Sequence, residues 1–307
     1  MLKNVKILGL FIFIFLFVTC NQKSKNDSNT ETILKGSIEI TVDETVKPIV
    51  EDQVAVFEGT YYDAKVSIKP KSEAELINDL LDEKTKVVIT ARDLTQKEKD
   101  KFAKLKVNPR VTPFATDAIA FISNKSNNDT LIALKTVMDF IKGMPNPKIK
   151  GLVFDNPNSS TVRFMKSLAH VKDMPVEGVF SLKTNEEVIK FVSENEGMIG
   201  IVGVNWLSQP SPEMKNIIQK LNVLSVKGLN SNKYYSPTQN DIAEQKYPLA
   251  RELYIINCQG YSGLGTGFAS FIAGDIGQRI VLKSGLMPIR TPGRKLQIRN
   301  KIINDKE

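Results

Sequence analysis

Short runs rich in Val and Ile, at 37–42, 65–69, 86–90, 118–123, 151–154, 198–204 and 252–258, alternate along this chain with stretches of helical periodicity at 45–57, 72–81, 96–105, 134–141, 160–168, 186–194 and 268–283. Parallel strands need long crossover connections, usually helices. A chain that repeats strand then helix is therefore confined to an α/β architecture with mostly parallel sheets. The body, from about 33 to 300, is too long for one compact core and predicts two domains. Helix starts are marked by capping boxes at Ser72-Glu-Ala-Glu75 and Thr184-Asn-Glu-Glu187, in which the third helical residue reaches back to the cap. Gly143 and Gly197 stand where two helices should stop.

The start of the chain speaks to compartment. Lys3 and Lys6 precede an apolar run from Ile7 to Val18, which ends at Thr19-Cys20. The run is shorter than the ~20 apolar residues of a membrane span, so residues 1–19 read as a cleaved signal peptide. A small residue followed by Cys20 resembles a bacterial lipobox, which makes Cys20 the expected lipidation site. Residues 20–32 are polar and rich in Asn, Ser, Lys and Thr, as a disordered tether would be. The expected location is extracytoplasmic, anchored to a bacterial membrane by N-terminal lipid.

Composition excludes several kinds of chemistry. The formal net charge is +8, and loss of Lys3 and Lys6 with the leader would lower it by two. A positive chain suits an anion-handling protein, but its charges are scattered rather than clustered with aromatics, so no nucleic-acid partner is expected. The charged end, 290–301 and the tail 301–307, reads as solvated. With two cysteines, one of them Cys20, and a single histidine, His170, neither a disulfide nor a Cys/His metal site or nucleophile is expected. Cys258 lies in an apolar run and reads as core; His170 falls near a helix end, where a cation is favoured. Gly260-Tyr-Ser-Gly-Leu-Gly-Thr-Gly267 has the wrong spacing for a nucleotide loop and reads as a flexible loop before the last helix. Neither an enzyme nor a cofactor is expected.

The segment that carries chemistry is Phe154-Asp-Asn-Pro-Asn-Ser159-Ser160-Thr161-Val-Arg163. A strand ends, a turn follows, and three hydroxyl residues open a helix. Helix N-termini present unpaired N–H groups and a partial positive charge, so they attract anions. One cap needs one hydroxyl, and Arg163 in the first turn opposes the helix dipole. A bound anion accounts for both oddities.

Taken in order, these pieces resemble the phosphate-binding protein of high-affinity bacterial phosphate ABC importers. Ser159-Ser160-Thr161 resembles the Ser-Gly-Thr end of that family's Arg-x-Asp-Gly-Ser-Gly-Thr signature. Ile40-Thr-Val-Asp-Glu-Thr45-Val46 is similar to its first strand and loop. Val87-Val-Ile-Thr-Ala-Arg92-Asp93-Leu-Thr95, Gly197-Met-Ile-Gly200-Ile, Tyr247-Pro-Leu-Ala-Arg251-Glu-Leu-Tyr254, and Gly277-Gln278-Arg-Ile-Val with Gly285-Leu-Met-Pro288 follow in the family's order. The chain departs from the pattern where the family Arg falls on Asp155, where Ser160 replaces a glycine, where Pro157-Asn158 replaces Asp-Gly, and where Asp43 and Glu44 replace small residues.

The resemblance implies a two-lobed periplasmic-binding-protein-like fold, each lobe a central, mostly parallel sheet flanked by helices. Residues 33–113 plus 248–300 would form lobe 1 and 114–247 lobe 2. Inorganic phosphate would be held between the lobes and delivered to ABC permease subunits. Lobe 1 would supply Thr45, the Val46 backbone, Ser72 and Asp93, and lobe 2 Ser159, Ser160 and Thr161, with Arg92 or Arg163 standing in for the missing cation. A carboxylate there, Asp93 first and Asp43 next, would accept a proton-bearing phosphate oxygen and repel sulfate. The alternatives are a binding protein for another oxyanion and a phosphate sensor without a permease.

Overall fold

The computed structural model describes residues 31–293. The expected signal peptide, Cys20, all of the expected tether but its last two residues, and the charged tail lie outside the described residues.

In chain order, β1 (Gly36–Asp43) passes through a 3-10 turn (Glu44–Val46) into α1 (Lys47–Thr60), β2 (Ala64–Lys71), α2 (Glu73–Leu81), β3 (Val87–Thr90), α3 (Gln96–Lys104) and the long strand β4 (Arg110–Asn124). There follow β5 (Leu131–Ala133), α4 (Leu134–Ile141), β6 (Gly151–Phe154), α5 (Ser160–Ala169), β7 (Val179–Ser181), α6 (Asn185–Glu194) and β8 (Met198–Gly203). Two one-turn helices, α7 (Asn205–Ser208) and α8 (Lys215–Ile218), lead to β9 (Leu221–Val223), β10 (Ser225–Lys227), β11 (Tyr234–Tyr235) and α9 (Gln239–Ala243). The chain returns through β12 (Ala250–Asn257), α10 (Leu264–Ala273), α11 (Asp275–Lys283) and β13 (Met287–Pro288).

The sheet runs β2-β1-β3-β12-β4-β8-β6-β7. Its first half holds parallel β2, β1 and β3 with antiparallel β12, and its second half holds parallel β7, β6 and β8. Strand β4 belongs to both. Its residues up to Ala118 pair with β12, and from Ile119 it pairs with β8. Hydrogen bonding thus runs unbroken through β4, although two separate sheets were expected. Only the end of β4, 118–123, reads as a Val/Ile strand; the earlier part carries Pro113 and polar residues. Its register against β12 skips there, with Leu253 opposite Ala115 but Tyr254 opposite Pro113. Such a bulge is where a strand tolerates proline.

Most of the expected elements form. Gly143 and Gly197 take φ of +84° and +82° after α4 and α6, a conformation that costs glycine little. Glu75 accepts from both Ser72 N–H and Ser72 Oγ, whereas Glu187 reaches past Thr184 to the Lys183 N–H. The single expected helix at 268–283 starts earlier and breaks at Gly274, and the glycine-rich stretch before it packs closely. A Cβ on Gly267 would lie 1.6 Å from the Ile33 carbonyl oxygen. His170 ends α5 at φ +55°. Cys258 is buried, and desolvation pushes its thiol up to about 11. One apolar core runs under both halves of the sheet, and a smaller cluster of Leu76, Leu80, Val88, Phe102 and Ile256 sits beneath α2 and α3. No helix among the described residues is long and apolar enough to cross a membrane.

Candidate functional site

The C-terminal ends of parallel strands are where α/β folds gather function. Here the ends of β1, β6 and β8 meet. β1 ends at Asp43, and the next turn carries Glu44 and Thr45. β6 ends at Phe154, and Asp155 follows it directly. Gly203 ends β8, and an added Cβ there would lie 2.9 Å from the Thr45 carbonyl oxygen. Only glycine lets the two halves approach so closely. Asn205 Nδ2 and Trp206 Nε1 donate to that same carbonyl at 3.0 and 2.9 Å.

A chain of polar contacts runs through this junction. Arg251 sits opposite Asp117 on the paired strands β12 and β4, and its Nε and Nη2 reach Asp117 Oδ2 at 3.2 and 3.0 Å. Arg251 Nη1 donates to Ser160 Oγ at 3.0 Å, and Ser160 Oγ donates to Thr45 Oγ1 at 3.3 Å. Thr45 Oγ1 donates to Asp155 Oδ2 at 3.2 Å. Asp155 also accepts from Ser159 Oγ at 2.5 Å and Asn185 Nδ2 at 3.1 Å. Asn185 Nδ2 donates to Glu44 as well, at 2.7 Å. All of these groups are buried except Glu44, which is half-buried.

Electrically the junction is acidic. Asp43, Glu44, Asp117 and Asp155 share a single buried cation, Arg251. Desolvation therefore dominates their titration, since burial favours the neutral acid. It pushes Glu44 up to about 8 against the hydrogen bonds of Asn185, and Asp155 to about 6 against those of Ser159. Asp43 and Asp117 are also raised, with Arg251 opposing both. Among the described residues no group of three or more His, Cys, Asp or Glu side chains is placed to hold a metal ion.

Four buried polar atoms here have no hydrogen-bond partner: Thr161 Oγ1, Asn205 Oδ1, Asp43 Oδ2 and Asp117 Oδ1. Buried polar groups are nearly always paired. Ser159 caps α5 by accepting from the Val162 N–H at 3.2 Å, so the Thr161 hydroxyl is not needed for capping. The N–H groups of Ser160 and Thr161 head the helix and have no intrahelical acceptor. The spare groups are thus three oxygens able to accept and, at the helix start, a hydroxyl and N–H groups able to donate.

The structure brings Thr45, Ser159, Ser160 and Thr161 together, while Val46 packs into the apolar core. Ser72 lies next to the junction, but its hydroxyl is spent on Glu75. Arg92 turns to Glu73 and Glu98, and Arg163 also pairs with Glu73. Neither arginine joins the buried chain. Asp93 is a half-buried acid whose carboxylate pairs with Lys99 at 2.8 Å. Arg251, Asn185, Asn205 and Trp206 also belong to the junction, and none was among the site residues expected from the sequence. Only Arg251 left a trace, in the Tyr-Pro-Leu-Ala-Arg stretch. A surface cavity of about 660 Å³ is lined wholly by residues between 127 and 234, away from this junction. A smaller one of about 380 Å³ opens beside it, between Glu73, Arg92 and Glu98 on one side and Pro157, Asn158 and Arg163 on the other.

Known proteins resemble this chain in sequence and fold. The phosphate-binding protein PstS of Borreliella burgdorferi is 28% identical over 314 residues, an alignment that takes in 94% of this chain and all of the relative. The crystal structure of PstS from Borrelia burgdorferi superimposes with a TM-score of 0.51 at 27% identity, covering 83% of this chain and 99% of that one. A Clostridium perfringens protein, crystallised with bound phosphate and named for phosphate ABC transport, superimposes with a TM-score of 0.68 at 19% identity and covers 83% of this chain and all of its own. The two-domain α/β fold with its curled central sheet is common to them. The family model for the PBP superfamily domain matches residues 27–275, and this chain belongs to that superfamily.

Proposed function

We propose that this protein is an extracytoplasmic substrate-binding protein that captures inorganic phosphate between its two lobes and hands it to an ABC permease. The observation that carries this reading is the convergence of Arg251 with the unspent donors at the start of α5, namely the Thr161 hydroxyl and the Ser160 and Thr161 N–H groups. A cation, a hydroxyl and helix-start amides form a donor set suited to a tetrahedral oxyanion. The function for which the relatives are named and the order of matching segments support the same ligand. The acids favour phosphate over sulfate. Near neutral pH phosphate still carries a proton, and an unpaired acceptor such as Asp43 Oδ2 can take that hydrogen; sulfate has none to offer.

On this reading the lobe boundaries fall at the two chain crossings, close to 113/114 and 247/248. Cys20 carries the lipid that holds the protein at the outer face of a membrane. The bacterial setting, the tether and the permease partner rest on the leader sequence and on the relatives.

Calorimetric titration of the phosphate-free protein with phosphate, sulfate and molybdate tests the ligand. Phosphate should bind with at least a hundredfold preference over sulfate. Absence of phosphate binding heat at any accessible concentration, or a preference for sulfate, would reject this reading.

A further inference from the structure

We propose that Asp155 is a tethered stand-in for the anion: its carboxylate holds the two lobes together while the cleft is free of ligand, and phosphate binds by displacing it. The displacement half of this proposal rests on the phosphate reading; the latch half does not.

Three neutral donors from three segments converge on this one buried carboxylate. Ser159 Oγ comes from the α5 turn at 2.5 Å, Asn185 Nδ2 from the start of α6 at 3.1 Å, and Thr45 Oγ1 from the turn after β1 at 3.2 Å. A guanidinium stands one hydroxyl further on, because Arg251 reaches Ser160, which reaches Thr45. Hydroxyls, an amide and a nearby arginine are what a protein arranges around a desolvated oxyanion. Here the oxyanion is covalently part of the chain.

None of this is needed to build the helix. Ser159 already caps α5 through the Val162 N–H, so its hydroxyl hydrogen is surplus and goes to Asp155. Desolvation raises the Asp155 carboxyl only to about 6, with Ser159 and Arg251 opposing Asp43, so at neutral pH the group is an anion. The titratable and cationic groups around it are Asp43 and Glu44 from the β1 turn and Arg251 from β12.

The bond from Thr45 spans the lobes. Thr45 follows β1 of lobe 1, and Asp155 follows β6 of lobe 2. The Thr45 carbonyl is gripped from lobe 2 as well, by Asn205 and Trp206. An anion held by Arg251 and the start of α5 would lie next to this carboxylate, which would repel it, so the carboxylate must move aside and release the Thr45 and Ser159 hydroxyls before the ligand can settle.

Trp206 is the only tryptophan and is itself part of the lobe contact, so its emission reports closure without a label. The test compares the wild type, Asp155→Ala and Asp155→Asn, each freed of phosphate, by acrylamide quenching of Trp206 and by phosphate calorimetry. In the wild type Trp206 should be shielded with or without phosphate. In Asp155→Ala it should become accessible to quencher without phosphate and be shielded again when phosphate is added, with the dissociation constant lowered at least tenfold. Asp155→Asn keeps an acceptor oxygen and loses the charge; it should stay shielded yet bind phosphate more tightly than the wild type, and it carries the test if the alanine variant does not fold. Unchanged quenching in Asp155→Ala overturns the latch. Weaker phosphate binding in both variants overturns displacement and makes Asp155 a ligand contact instead. Exposure of Trp206 in Asp155→Ala with no phosphate heat in any form leaves the latch standing and rejects phosphate as the ligand.

Discussion

Two clusters of arginines and carboxylates bridge the halves of this molecule, and they are balanced in opposite ways. The outer one sets Glu73 and Glu98 against Arg92 and Arg163, acid for base, with Arg163 more than a third exposed. The inner one sets four acids against Arg251, with Asp117 and Arg251 almost wholly out of water. The outer cluster is electrically finished and acts as a clasp between α2 and α5. The inner one has more carboxylates than its cation can answer, together with unpaired oxygens and unspent donors. Evenly paired charges hold elements in place; an unbalanced buried set holds a place for something that comes and goes.

Removal of the single inner cation should have the largest effect. Arg251→Ala leaves Asp117 buried without its partner, a change that typically costs about 3–5 kcal/mol of stability. It should also weaken phosphate binding by more than about a hundredfold, since a charge-assisted donor is lost. Chemical denaturation and calorimetry measure both effects. A stable Arg251→Ala protein with wild-type phosphate affinity would mean that the inner cluster is as finished as the outer one.

Next is Thr161→Val, which keeps the shape and removes one buried hydroxyl. Phosphate affinity should fall roughly ten- to a hundredfold, corresponding to about 1.5–3 kcal/mol for a hydrogen bond to a charged group. Thermal stability should hardly move, because Ser159 makes the cap. If affinity is unchanged, the start of α5 does not touch the ligand.

A smaller effect is expected from pH. The folded Glu44 carboxyl keeps its proton up to about 8, while the unfolded one loses it near 4.5. Between those values the folded state binds more protons, so stability falls as pH rises. Denaturant midpoints between pH 6 and 8 should show this decline in the wild type and a flatter profile in Glu44→Gln, which still offers an oxygen to Asn185. Parallel profiles would show that Glu44 is ionised in the folded protein across that range.

The outer clasp should give least. Arg163→Ala removes a partly exposed ion pair, usually worth about 1 kcal/mol or less, and Arg92 remains to neutralise Glu73. Its denaturation midpoint and phosphate affinity should stay close to wild type. A large loss of affinity would move the binding site outward, toward the cavity between Glu73 and Asn158.

The contrast between the clusters also shows what sequence can and cannot reveal. The hydroxyl triad at 159–161 was legible because a helix needs one cap and three were offered. Ser72 was legible as a cap, and it is one. Arg251 carries no local sign of its role, because its partner Asp117 lies far away in the chain and only strand register brings them together. Asp155 and Asn185 each follow or open an ordinary element, and nothing local distinguishes them from turn and cap residues. Asp93 has the type of residue suited to an anion selector, yet it lies at the surface with Lys99. The alternation of elements foretold the α/β class and most of the helices. The two- and three-residue strands β5, β7, β9, β10 and β11 are too short to show a period.

The passage of β4 from one half of the sheet to the other has a mechanical consequence. Beside it the chain crosses back, and the Ile119 N–H donates to the Leu249 carbonyl at 3.0 Å. Two adjacent covalent crossings behave as a door hinge, suppressing sliding and leaving mainly one angle free. Every bridge between the lobes is then a reading of that angle taken at its own radius. Trp206 to Thr45, Arg163 to Glu73 and the Ala74 N–H to the Asn158 carbonyl should part in the order of their lever arms, and none can open independently of the rest.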